Sequence, residues 1–151
     1  ITTTQTMLPL RTEPADPNEL EESARSTNDY VREWAEHHLE LASRGEQPVQ
    51  EHNFEVQTIC FGQSLLIITL ACEPNVEYGL SFKREWASRY GDVFVFGYTN
   101  DMLGYLPVRR QIPEGGYEVI DNHRYQLYTG PFTAETEESI QTAVRQALTT
   151  D

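Results

Sequence analysis

Two apolar runs, Phe54 to Phe61 and Leu65 to Ala71, stand out from an otherwise polar chain, and Gly62-Gln63-Ser64 between them predicts a hairpin. In the second run nearly every position is apolar, which predicts a central strand covered on both faces. Pro74 then opens a helix over about 74–90, stopped by Gly91, with Glu73 at the strand-to-helix junction. Residues Asp92 to Tyr98 again carry apolar side chains on both faces (Val93, Phe94, Val95, Phe96) and predict a second buried strand. Strand, helix, strand in this order implies a right-handed βαβ crossover with parallel strands. Ligands in such sheets sit beyond the carboxyl ends of the strands, here Cys72-Glu73 and Thr99-Asn100.

Upstream, residues 2–10 read as a Thr-rich strand or arm, followed by a connection through Pro14 and Pro17. Asp16-Pro17-Asn18-Glu19 is a helix start, and one long acidic helix is expected from there to Gly45. Its apolar face is Leu20, Ala24, Thr27, Val31, Ala35, His38 and Ala42, flanked by Trp34 and Leu41. From Asp101 to Phe132 the chain is rich in Gly, Pro and Tyr and without clear period, the pattern of a functional loop. A last helix, about 134–149, shows Ile140, Ala143, Val144, Ala147 and Leu148 on one face. The fold class expected is therefore α/β: a mixed sheet with a hairpin and a βαβ crossover, and helices packed on it.

Composition narrows the partners. In 151 residues, 11 Lys and Arg stand against 24 Asp and Glu, a net charge of −13. Phosphate backbones and anionic lipid surfaces would be repelled, so no nucleic-acid partner is expected. The longest strongly apolar stretch, Leu65 to Cys72, is far short of the roughly 20 residues of a transmembrane span. Cys60 and Cys72 fall near opposite ends of the predicted hairpin, about 23 Å apart at about 3.3 Å per residue, so no disulfide is expected between them. The chain begins at Ile1 without a basic-plus-apolar signal segment, which reads as a processed chain or a fragment.

Several residues are candidates for chemistry. Glu73, at a helix N-terminus beyond a strand, suits a carboxylate that meets a metal or substrate, and a plain cap accounts for it equally. Tyr105 and Tyr117, in the loop after the neighbouring strand, can converge on the same crevice or simply pack. Cys72 at the turn is a possible nucleophile or a buried small hydrophobe. His37 and His38 are adjacent on a helix and lack the i, i+4 arrangement of helical zinc ligands; His38 reads as core-edge and His37 as solvated. His52, in a loop, and His123, in a polar stretch, read as surface histidines. Arg109-Arg110 reads as an ion-pairing doublet or an anion contact. Gly115-Gly116 lacks the context of a phosphate loop.

From about Phe54 to Glu118 the chain resembles the neutral/alkaline non-lysosomal ceramidase family, particularly its shorter prokaryotic relatives. The resemblance lies in the turn Ala71-Cys72-Glu73-Pro74, the helix start Asn75-Val76-Glu77-Tyr78-Gly79, the segment Gly97-Tyr98-Thr99-Asn100-Asp101-Met102-Leu103-Gly104-Tyr105, and the block Glu114-Gly115-Gly116-Tyr117-Glu118-Val119. Ala71-Cys72 replaces the family's Pro-Gly, and Leu106-Pro107-Val108-Arg109-Arg110 departs from its lipid-site run.

The resemblance implies zinc as cofactor, Glu73 and Tyr105 as metal ligands, and Tyr117 as a catalytic tyrosine that hydrogen-bonds the reacting amide. The family's His ligands match none of His37, His38, His52 or His123. They are expected from an N-terminal segment or companion chain, residues 1–151 being the C-terminal portion of a ceramidase-like catalytic domain. The activity implied is zinc-dependent hydrolysis of an amide bond in an N-acyl amide or ceramide-like substrate, this segment alone being inactive. Two rival readings are a non-catalytic member of the fold that binds or assembles, and a Cys72-dependent hydrolase. An isolated chain is expected to bare an apolar patch where its sheet lacks cover.

Overall fold

The computed structural model describes residues 1–149. Its main sheet has four strands in the order β1-β2-β3-β5: β1 (Thr2–Arg11), β2 (Glu51–Phe61), β3 (Leu65–Leu70) and β5 (Asp92–Phe96). β1–β2 and β2–β3 are antiparallel, whereas β3 and β5 run parallel with Ile67 opposite Phe94. The predicted hairpin and crossover are both present. Between the parallel strands lie a two-residue strand β4 (Glu73–Pro74) and helix α3 (Val76–Trp86). β4 pairs in parallel with β6 (Tyr105–Leu106) to form a separate two-stranded ribbon.

Alternation along the strands sends Phe54, Val56, Leu66, Ile68 and Val93 to one face. There α3 contributes Tyr78, Phe82 and Trp86, and α5 (Thr136–Thr149) contributes Ile140, Val144 and Leu148, closing one core. α5 lies on β1 and β2, and α3 on β5. The other face is open: Met7, Phe61, Phe94 and Phe96 are exposed on it. Here the expectation of two strands buried on both faces fails. β3 is central and keeps Thr69 buried, but β5 is an edge strand whose outward Phe94 and Phe96 stack on one another in solvent, ring centroids 6.2 Å apart. The apolar patch expected of a sheet lacking cover lies here.

The acidic N-terminal helix is two helices. α1 (Pro17–Ser23) starts as expected, Asp16 accepting from the Asn18 N–H at 2.8 Å, and α2 (Asp29–Ser43) restarts behind Asn28. The break has a local cause. Asn28 accepts from Tyr30 N–H, and its own N–H donates to Ser26 Oγ, so short polar side chains capture backbone groups that a continuous helix would pair. The stretch from Asp101 to Phe132, expected as a functional loop, carries short elements of its own. It is built of β6, a 3₁₀ turn (Arg109–Glu114), a π turn (Tyr117–Asp121) and α4 (Asn122–Tyr125).

Candidate functional site

Glu73 does not begin a helix. Pro74 continues β4, and the cap of α3 is Asn75, whose Oδ1 accepts from Glu77 N–H at 2.8 Å. The helix-dipole argument for Glu73 therefore gives way to a strand argument: the Glu73 N–H donates to the Gly104 carbonyl at 2.9 Å, and register places Glu73 directly beside Tyr105. Two glycines make this close packing possible. A Cβ on Gly97 would lie 2.4 Å from Pro74 Cδ and 2.7 Å from the Cys72 carbonyl, where the Tyr98 N–H donates at 2.7 Å. A Cβ on Gly104, at φ +99°, would lie 2.7 Å from Asn122 Oδ1, the atom that accepts from Tyr105 N–H. Buried Asn122 thus fixes the strand that carries Tyr105.

Around Glu73 gather phenols. Hydrogen bonding from Tyr98 to the Glu73 carboxylate, helped by some desolvation and the carboxylate's charge, pushes the Tyr98 phenol up to about 12. Tyr105 is raised as well, chiefly by the negative field of Glu73, with desolvation and hydrogen bonding to the same carboxylate adding to it. Both hydroxyls therefore remain protonated donors across the neutral range. The Tyr105 ring meets Tyr117 edge-on at 5.7 Å, and Tyr117 in turn meets Tyr125 at 6.0 Å. Glu73, Asn75, Tyr105, Pro107, Gln111 and Glu118 line a cavity of about 180 Å³. Of the three residues singled out from the sequence, Glu73 and Tyr105 are thus side by side, and Tyr117 adjoins Tyr105 without lining this cavity.

The remaining candidates lie elsewhere. Cys72 is fully buried, and burial, then the adjacent Glu73 charge, drives its thiol upward; this is the setting of an inert cysteine, not of a nucleophile. Cys60 and Cys72 are both free and buried. His52 lies on β2, not in a loop, with its ring 3.8 Å from that of Tyr128. His123 is the plainest correction: it is buried, 4% exposed, against Trp34, because the polar-looking stretch around it folds as α4 under α2. His38 is buried with Nε2 3.2 Å from the Tyr128 carbonyl, and His37 is half-buried rather than solvated. Arg110 pairs with Glu77 and Glu114, while the Arg109 N–H donates to Glu137. Gly115 and Gly116 form a positive-φ turn between the 3₁₀ and π segments.

One residue of the site carried no signal in the sequence beyond its position in the quoted segment: Tyr98, held at φ +54° after the end of β5. A tyrosine ending a Phe-Val-Phe strand reads as one more packing aromatic, and only the backbone reversal at Tyr98 and Asn100 turns it back toward Glu73. As a metal site the arrangement is partial. The Glu73 carboxylate fits a zinc ion as an oxygen donor, but no group of three or more His, Cys, Asp or Glu side chains suited to a metal exists among the described residues.

No protein-family model matches the chain, and no curated protein does. Among solved structures it is similar to the neutral ceramidase from Pseudomonas aeruginosa, with a TM-score of 0.53 and 13% sequence identity, over 97% of this chain and 28% of that one. The chain has the fold of part of that protein and spans about 28% of its length. No helix among the described residues is long and apolar enough to cross a membrane.

Proposed function

We propose that this chain supplies the carboxylate-and-tyrosine side of a zinc amidohydrolase site, the rest coming from a segment or companion chain that contributes histidines. The supporting observation is the register pairing of Glu73 with Tyr105, with the edge of Tyr117 against Tyr105. The fold shared with part of a neutral ceramidase agrees with this reading. Zinc held in part by a carboxylate supplies a polarising Lewis acid and an activated water at neutral pH. This chain's own residues do the following. Glu73 offers the negative charge that holds a cation, in a position fixed by β4–β6 pairing and by Gly97. Tyr105 offers a phenol oxygen to the same point, and Tyr98 hydrogen-bonds the carboxylate. Tyr117, 46% exposed, presents a hydroxyl to an amide oxygen, donating where negative charge builds up during attack.

The substrate class is an N-acyl amide. The test is elemental analysis of natively purified protein with any co-purifying chain, for wild type and Glu73→Ala, followed by assay on N-acyl amides. Near-stoichiometric zinc that falls sharply in Glu73→Ala, with hydrolysis lost in parallel and reduced by roughly 10²–10³ in Tyr117→Phe, is the expected outcome. Metal-free protein that carries its histidine-bearing partner would overturn the mechanism and leave a binding or assembly role for the fold.

A further inference from the structure

The main sheet ends at β1, and the outer side of that strand is only partly used. The Thr12 N–H donates inward to the Gln50 carbonyl at 3.0 Å. Outward, the Arg11 carbonyl accepts from the Thr133 N–H at 3.0 Å, and the Glu13 N–H donates to the Pro131 carbonyl at 2.8 Å. Residues 131–133 thus hold a fifth strand position, antiparallel, for a single bridge between Thr12 and Phe132. After Thr133 the chain leaves the sheet and enters α5 at Thr136. Backbone groups alternate sides along a strand, so those of Pro9, Met7, Gln5 and Thr3 point the same way as those of Arg11. No strand or loop backbone among the described residues pairs with them there. Pro9 has no N–H, so the vacant row offers the carbonyls of Thr3, Gln5, Met7 and Pro9 and the N–H groups of the first three. It is roughly 20 Å long at about 3.4 Å per residue.

This row runs along a groove. α5 packs on β1, and two cavities of about 570 and 530 Å³ lined by both elements share Pro9, Glu135 and Ser139. The groove is acidic. Glu13, Glu135 and Glu138 line it, and none of the three makes an ion pair among the described residues. Arg11, the cation of the lining, is taken by Glu51. Ser139, Thr142 and Ala143 leave the helix side of the groove low enough for another strand's side chains.

We infer that the outer edge of β1 binds an extended, Lys- or Arg-bearing segment of another polypeptide, which joins the sheet as a strand in line with residues 131–133. The inference stands apart from the amidohydrolase reading. Main-chain pairing with Thr3, Gln5, Met7 and Pro9 supplies affinity, and the carboxylates supply the choice of sequence. Every second side chain of such a strand points to the α5 side, where a cation meets Glu135 and Glu138. An acidic segment meets like charge there and is rejected. A second copy of this chain is the poorer occupant for the same reason, because it brings the same carboxylates and a net charge of −13.

The test is an amide-resolved NMR titration of the 151-residue chain with three synthetic peptides. They are acetyl-Thr-Lys-Val-Lys-Val-Lys-Thr-amide, the same peptide with Glu for every Lys, and the Lys peptide N-methylated at both valines, whose N–H groups face β1 when Lys faces α5. The Lys peptide should shift the amides of Thr3, Gln5 and Met7, and bind at least tenfold more tightly than either of the others. It should bind at least tenfold more weakly to Met7→Pro, and at least fivefold more weakly to the double variant Glu135→Gln, Glu138→Gln. Met7→Pro removes an N–H that faces away from β2, so the existing ladder keeps its bonds. The N-methylated peptide makes the same cut from the ligand's side and decides the matter if that variant does not fold. Lys-peptide binding that survives N-methylation would show attraction to the acidic surface at large and overturn the inference. So would the absence of shifts at Thr3, Gln5 and Met7, or equal binding of the Glu peptide. A dimer of the chain that Met7→Pro dissolves would put a second copy on the edge and overturn the choice of occupant.

Discussion

Two clusters of aromatic and titratable side chains lie on neighbouring parts of this molecule, and they are opposites. Around Tyr128 the chain buries Trp34, His38 and His123, with Trp34 Nε1 donating to the Tyr128 carbonyl at 2.6 Å. There His38 Nδ1, His52 Nε2 and both ring nitrogens of His123 have no close hydrogen-bond partner. Around Glu73, by contrast, half-exposed hydroxyls converge on a carboxylate. The usual expectation is that histidines mark chemistry and tyrosines mark packing. In this chain burial runs the other way round: His38 and His123 are packed in the core, and Tyr98 and Tyr117 are the exposed groups.

The sharpest way to break this contrast is to damage the core cluster and ask whether the site follows. Trp34→Ala removes a fully buried indole and its bond to Tyr128, and should cost about 3–5 kcal/mol in denaturant unfolding. Retention of stability within about 1 kcal/mol would show that the cluster is not core.

Acid comes next. Burial, then the charge of Arg124, depresses His123 from its ordinary value to about 4, and burial lowers His38 and His52 in the same direction. An unfolded histidine takes its proton near 6.5, so between about pH 6.5 and 4 the unfolded chain binds more protons than the native one. Stability is full above that window and declines as pH falls through it, by about 3 kcal/mol for His123 alone. Unfolding curves collected across the window should show this slope, and His123→Leu should flatten it. A slope of opposite sign would mean that these histidines hold charge in the native state.

On the other side of the comparison the effects are smaller. Gly97→Ala drives a Cβ into Pro74 and the Cys72 carbonyl, and should cost about 1–3 kcal/mol while loosening the strand that carries Glu73. Amide exchange at Glu73 and Asn75, which donate to Gly104 and Leu106, would speed up in this variant. The smallest change is spectroscopic. Ultraviolet titration of the tyrosines should show two phenols, Tyr98 from about 12 and Tyr105 beside it, shift toward their ordinary value in Glu73→Gln, with little change in stability. An unchanged titration curve would mean that Tyr98 does not face Glu73.

The hairpin, the parallel crossover and the last helix were legible because each rests on local period and punctuation: Gly62-Gln63-Ser64, Gly91, and the spacing from Ile140 to Leu148. Features decided by competition between local bonds were not. Asn28 looks like a polar position on one helix until its side chain is seen to cap another, and Pro74 reads as a helix start until β6 arrives from 32 residues away to pair with it. Phe94 and Phe96 satisfy the pattern of a buried strand, yet burial depends on what covers a face, and nothing within the strand carries that information. Likewise His123 was misplaced because its neighbours are polar while its contact, Trp34, lies in another element. The proximity of Glu73, Tyr105 and Tyr117 was expected from loop placement and resemblance, whereas Tyr98 depended on a backbone reversal that no side-chain pattern encodes.

The bare edge of β5 has a colloidal consequence. An edge strand of sequence Val-Phe-Val-Phe, paired within its sheet on one side, is the kind of surface on which molecules stick edge to edge. What holds copies apart is long-range repulsion between bodies of charge −13. That repulsion shortens from about 30 Å at 0.01 M salt to about 8 Å at 0.15 M, so a solution clear at low ionic strength should scatter more light as salt is added. Ordinary purification buffers, and not only the choice of partner, therefore decide whether this chain is handled as single molecules.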